Sequence, residues 1–185
     1  KAGIGMIHQH FMLVPTLTVT ENVALGLHSS REPMLDLDKV AKRVRELSQA
    51  YGLKVDPEAY VWQLSVGEQQ RVEILKALYR NADLLVLDEP TAVLTPGEVR
   101  DLFRIVCSLT SRGKSVIFIS HKLDEVMEIS DQITVLRDGK VVASVERDNT
   151  DKASLARMMV GRDVVFRVSR SNPEKHTQAV LEVDR

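Results

Sequence analysis

The run Leu84-Leu85-Val86-Leu87, followed at once by Asp88-Glu89-Pro90-Thr91, constrains this chain more than any other stretch. Four consecutive apolar residues fit a strand covered on both faces, as in a parallel sheet. Two carboxylates at its end have no place in a core. In open α/β sheets the C-terminal strand ends are where ligands bind. Asp88 there is suited to hold Mg²⁺ through water, because Mg²⁺ dehydrates reluctantly. Glu89, one residue on, points elsewhere and is placed to polarise an attacking water.

The surrounding pattern agrees with an α/β reading. Thr95-Pro96-Gly97-Glu98 is a capping box with proline at the first helical position. Val99, Leu102, Phe103, Val106 and Leu109 form one stripe, and Gly113 ends that helix. "SVIFIS" reads as a second buried strand, and a helix follows over 122–129. Asp138-Gly139 joins two strand-like runs in a hairpin. "SLARMMVGR" is a last short helix. Upstream, residues 3–9 read as the end of a short strand, and residues 11–80 read as a helical block without strands. That block holds a short helix capped at Thr20, a loop at 31–35, and a long helix from Asp38. In the long helix Leu37, Val40, Ala41, Val44, Leu47 and Tyr51 share a face, and Gly52 stops it. Residues 169–178 read as a polar linker, and "AVLEVD" beyond it opens a new strand.

Composition narrows the function. Lys plus Arg number 25 against 26 Asp plus Glu, and aromatic residues are 4% of the chain. Neither a basic face nor a base-stacking platform for nucleic acid is supported. The single cysteine, Cys107, makes no internal disulfide, fits a reducing compartment and is expected to fill the core. The apolar runs are much shorter than the ~20 residues of a membrane span.

Three further features carry chemistry. Ser65 caps a helix whose Glu68 completes a capping box, and Gly67 beside it exposes backbone N–H groups at a positive helix end. That is an anion site, and glycine lets a phosphate approach the backbone. His121 follows "SVIFIS" directly, beside the Asp88 strand end if the two strands are neighbours, where a neutral imidazole donates to a phosphate. Gln9 ends the first strand, within reach of metal or water. His8 and His10 flank it on one strand face, but no third metal ligand lies nearby.

Together, Gln9, Leu64-Ser65-Val66-Gly67-Glu68-Gln69-Gln70-Arg71, Leu84 to Glu89 and His121 resemble the ATP-binding subunits of ABC transporters. They match, in order, that family's Q-loop, signature motif, Walker B with catalytic glutamate, and switch histidine. The resemblance runs from residue 3 to about 165. It implies a P-loop NTPase-type α/β fold with an inserted helical subdomain. The expected division is 1–10, the end of a core strand and the Q-loop; 11–80, the helical subdomain; 81–168, the α/β core; and 169–185, a linker and the start of a second nucleotide-binding domain. It implies ATP and Mg²⁺ as ligands, with Glu89 and His121 catalytic, Asp88 and Gln9 at the metal, and Gln9, Ser65, Gly67 and Glu68 at the nucleotide. Ser65 and Gly67 are expected to act on ATP held by a partner domain paired head-to-tail. The further partners implied are transmembrane permease subunits and, indirectly, a solute-binding protein, at the cytoplasmic face of a membrane. No nucleic-acid partner is expected.

Two departures matter. The family's phosphate loop, GxxxxGK[ST], is not found in the 185 residues. "SLTSRGKS" at 108–115 has the wrong first residue, and a helix precedes it where a strand should. The loop is expected upstream of Lys1, so these residues alone are expected to be inactive, a piece of the first half of a tandem subunit. Second, where the usual D-loop reads Ser-Ala-Leu-Asp, this chain has Ala92-Val93-Leu94-Thr95. "PTAVLTPGE", "GMIHQHFMLVPTLTVTENVALG" and "MMVGRD" resemble importers of simple sugars and nucleosides, nucleosides somewhat more. The alternative is a soluble ABC-type ATPase acting on nucleic-acid or ribosomal assemblies.

Overall fold

The structure is a computed structural model that describes residues 3–27 and 36–161. The expected loop at 31–35, the linker at 169–178 and the strand after it lie outside these residues. The chain forms two compact units, one reaching Ser130 and one beginning at Asp131.

In the first unit, β1 (Ile4–Ile7), β2 (Leu84–Asp88) and β3 (Ser115–Ile119) form a parallel sheet in the order β1-β2-β3. The register sets Ile7 opposite Leu87 and Asp88 opposite Ile119. The strands therefore end together, at one edge. β2 and β3 are neighbours, as the position of His121 requires.

Among the described residues, the two strands expected to be covered on both faces are covered on one. In β2 only Leu85 and Leu87 are fully buried, while Leu84 and Val86 on the other face are partly exposed. β3, like β1, is an edge strand of the described sheet. Its Val116 and Phe118 pack on the core, whereas Ile117 and Ile119 are exposed. An apolar run fixes a strand but does not say which of its faces meets a helix layer. At Gly5, β1 lies close against α3 (Val66–Tyr79). A Cβ there would lie 2.7 Å from Cβ of Ala77, so only glycine admits the contact.

The described residues of 11–80 carry α1 (Val19–Ala24), α2 (Leu37–Tyr51) and α3 (Val66–Tyr79), with one bridge, Thr18 to Tyr60, and no strand among them. The cap of α1 is Thr18, not Thr20, because Thr18 alone has a glutamate three residues on, and Glu21 closes the box. Thr20 is buried and donates to Pro57 O at 2.8 Å. α2 is capped by Asp36 and stopped by left-handed Gly52. Fully buried Asn22 holds the entry to α1, accepting from Val14 N–H at 2.8 Å and donating to Val14 and Thr18 carbonyls. Buried Glu73 accepts from Met12 N–H at 2.8 Å and pairs with Lys76, pinning the segment after Gln9 onto α3.

α4 (Pro96–Thr110) starts at the expected capping box. It ends three residues before Gly113, and β3 begins at Ser115, so 108–115 is a helix stop followed by a strand. Lys114 pairs with Asp83 at 2.7 Å. Cys107 is exposed, contrary to expectation. It falls one residue past Val106 and so turns off the buried face of Leu102, Phe103, Val106 and Leu109. α5 (Leu123–Ile129) closes this unit.

The second unit is the hairpin β4 (Gln132–Arg137) and β5 (Lys140–Glu146), followed by α6 (Lys152–Val160). Asp138 and Gly139 both have positive φ, the two-residue turn that matches strand twist. α6 is capped by Asp151, and its Leu155 and Ala156 are buried. No described helix is long and apolar enough to cross a membrane.

Candidate functional site

The sheet's C-terminal edge gathers the acidic pair. Asp88 ends β2, and Glu89 leaves it with φ of 47° while its N–H donates to Ile119 O at 3.0 Å. A left-handed conformation at a non-glycine residue costs about 1 kcal/mol or more, so the neighbouring strand's bond must hold it. The turn beyond is fixed from two sides. Gln70 of α3, 2% exposed, donates to Pro90 O at 2.8 Å. Fully buried Thr91 donates its hydroxyl to Glu125 at 2.5 Å, and Lys122 donates to Thr91 O at 2.9 Å.

Glu89 is thereby aimed at His121, whose Nδ1 lies 2.8 Å from Glu89 Oε1. The other carboxylate oxygen, Oε2, is buried without a hydrogen-bond partner among the described residues. A buried, unsatisfied carboxylate oxygen is costly unless something fills it. It suits a water or a hydrated cation, and Asp88 next to it is an oxygen donor of the kind Mg²⁺ takes. The residues present therefore fit the ion that the acidic pair implies.

Gln9 lies two residues past the end of β1 and is exposed. The β1–β2 register brings it to the same edge as Glu89. His8 and His10 are also past the strand, so strand alternation does not set them on one face. Among the described residues no group of three metal-ligating side chains forms.

The start of α3 is a second locus. Ser65 accepts from Glu68 N–H and Glu68 accepts from Ser65 N–H, the expected capping box. Gly67 N–H does not face an open position. It donates to Oε1 of Glu98 at 3.1 Å, and a Cβ on Gly67 would come within 2.6 Å of that oxygen. Hydrogen bonds from Thr95, backbone first and hydroxyl second, with smaller ones from Gly67 and Ser65, hold the Glu98 carboxyl below the usual range. The capping box foretold Glu98 as a cap. Its reach to Gly67 crosses 31 residues and left no signal in the sequence. Gln70, Thr91 and Glu125 were likewise not foreseen.

A parallel sheet flanked by helices, with ligand-suited groups at its C-terminal edge, is an α/β fold of the P-loop NTPase type. A profile of the family described as ABC transporter matches residues 1–92. The nucleoside import ATP-binding protein NupA of Lactococcus lactis subsp. cremoris is 50% identical over 181 residues, covering 98% of this chain and 36% of that protein. The glucose import ATP-binding protein TsgD13 of Haloferax volcanii is 49% identical, covering 91% and 36%. Among solved structures, cbiO1 of Clostridium perfringens, part of an ABC transporter complex, superposes with a TM-score of 0.66 at 26% identity, over 80% of this chain and 59% of that one. The dimeric ATP-binding cassette MJ0796 bound to ADP and Pi gives 0.62 at 29%, over 78% and 62%. The chain belongs to the ATP-binding family of ABC transporters. It spans about a third of the length of the curated relatives it matches.

Proposed function

We propose that this chain is part of an ATP-binding and ATP-hydrolysing subunit of an importer for nucleosides or simple sugars. The observation that carries the reading is the Glu89–His121 contact at the sheet edge, with Glu89 Oε2 buried and unfilled. Glu89 takes the proton of the attacking water, and the one N–H of neutral His121 either holds that carboxylate in place or, with nucleotide bound, donates toward the terminal phosphate. Asp88 and Gln9 hold Mg²⁺, which when bound offsets phosphate charge. Ser65, Gly67 and Glu68 form a helix start that meets ATP carried by a partner domain. The partners are a second nucleotide-binding domain, membrane permease subunits and a solute-binding protein, which places the subunit on the cytoplasmic face of a membrane. The division into a 1–10 strand end, an 11–80 helical subdomain, an 81–168 core and a 169–185 linker accompanies this reading.

The solute class rests on relatives named for import of nucleosides, guanosine, glucose, ribose and xylose. The test is Mg-ATP hydrolysis by the complete subunit, together with uptake of labelled guanosine and ribose by vesicles carrying the full transporter. ATP-dependent uptake of either solute supports the reading. Hydrolysis without uptake, with the subunit purifying on ribosomes or nucleic acid, would favour the soluble alternative.

A further inference from the structure

The start of α3 is already occupied, by a residue of its own chain. Glu98 Oε1 accepts from Gly67 N–H at 3.1 Å, while Oε2 accepts from Thr95 N–H at 3.0 Å and from the Thr95 hydroxyl at 2.9 Å. One carboxylate thus sits between the N-terminal ends of two long helices, α3 and α4, where both dipoles favour negative charge. Capping α4 needs only the Oε2 side of this arrangement. The bond to Gly67 is additional and joins the helical block to the helix that follows the catalytic turn. Gly67 is the residue that admits it, since any Cβ there would strike the carboxylate. Thr95 matters as well. The family's usual aspartate at that place would put a second carboxylate beside Glu98, and like charges at that distance repel.

A phosphate seeking the Gly67 amide meets a charge of its own sign. The two anions cannot share one N–H, and their repulsion across a few ångströms is substantial even near a protein surface. Glu98 is a flexible side chain, so it can swing away without moving its helix.

We propose that Glu98 is a built-in occupant of the Gly67 amide, displaced when a nucleotide phosphate of the partner domain docks there. Docking then breaks the tether between α3 and α4, and it does so only when nucleotide is present. The inference rests on the function proposed above, which gives the α3 start its phosphate.

The test uses the complete transporter and two variants. Glu98→Gln keeps the reach and the acceptor oxygen for Thr95 but loses the charge. Glu98→Asp keeps the charge but is too short to reach Gly67. Each should lower the KM for ATP by about threefold or more, with kcat moving less than KM, because a competitor of the phosphate has been weakened. Melting temperatures report folding separately. A merely structural cap would lower the melting temperature and leave KM where it was, and that result in both variants would overturn the inference. If the wild-type transporter hydrolyses no ATP, the proposed function falls and this inference falls with it. If the wild type turns over normally and neither variant shifts KM, only the role of Glu98 is lost.

Discussion

Nδ1 of His121 lies 2.8 Å from Oε1 of Glu89, across 32 residues of sequence, because β2 and β3 are parallel neighbours ending at the same edge. The contact leaves Glu89 Oε2 free to meet a water or hydrated cation. Removing the charge while keeping the shape isolates this role. Glu89→Gln in the complete subunit should abolish turnover and preserve ATP binding, read by steady-state hydrolysis and by calorimetry. Undiminished hydrolysis would remove Glu89 from the proton transfer.

His121 is 70% exposed at its side chain while Glu89 is 20% exposed, so the imidazole contributes aim rather than packing. His121→Ala should lower kcat by about 10²-fold or more, in the range of lost acid–base or positioning groups. The melting temperature should stay within about 2 °C, as for a surface substitution away from the core. A large fall in melting temperature with kcat intact would make the histidine structural.

Gln70 reaches from α3 to Pro90 O, in the turn that carries Glu89. Gln70→Leu fills similar space but leaves that carbonyl without its donor. The expected cost is about 1–3 kcal/mol in denaturant unfolding, with reduced turnover from a loosened turn. A stable variant with full activity would show that Thr91 and α5 hold the turn unaided.

Leu85, the second residue of β2, is fully buried in the core cluster that residues of α3 and α4 also enter. Leu85→Ala should cost about 2–5 kcal/mol by urea unfolding. A loss below 1 kcal/mol would mean the sheet is not packed as described.

Acid should act through the helix caps. Glu21 and Glu98 lie below their ordinary value of 4.5, mainly through bonds from the backbone of Thr18 and of Thr95. Their folded values lie under the unfolded ones, so the stabilisation is complete above about pH 4.5 and fades as pH falls through the lowered values. Melting temperature measured from pH 6 to pH 3 should drop below that point, and Glu21→Gln should make the drop shallower. A flat profile would contradict the cap geometry.

The sheet and its edge were readable because each rests on local pattern. Leu84–Leu87, a short apolar run ending in Asp-Glu-Pro, fits a strand, and the capping box Thr95 to Glu98 marks a helix start. Local pattern also misplaced what it could not see. Thr20 looked like a cap until Thr18 proved to have Glu21 in range. Cys107 looked buried because its neighbours are apolar, and β3 looked buried because nothing in "SVIFIS" reveals an edge. At the site, Asp88, Glu89 and His121 carried their own signals. Gln70, Thr91 and the reach of Glu98 to Gly67 did not, because those bonds join residues 20, 34 and 31 positions apart.

With the role proposed for Glu89, its left-handed backbone sets robustness against chemistry at a single position. Glycine would sit there without the penalty that a Cβ imposes. A library screened for heat resistance alone would drift toward glycine at 89 and return hardier proteins that no longer carry the acid. Any effort to toughen this domain must therefore hold that position fixed and look for its gains elsewhere.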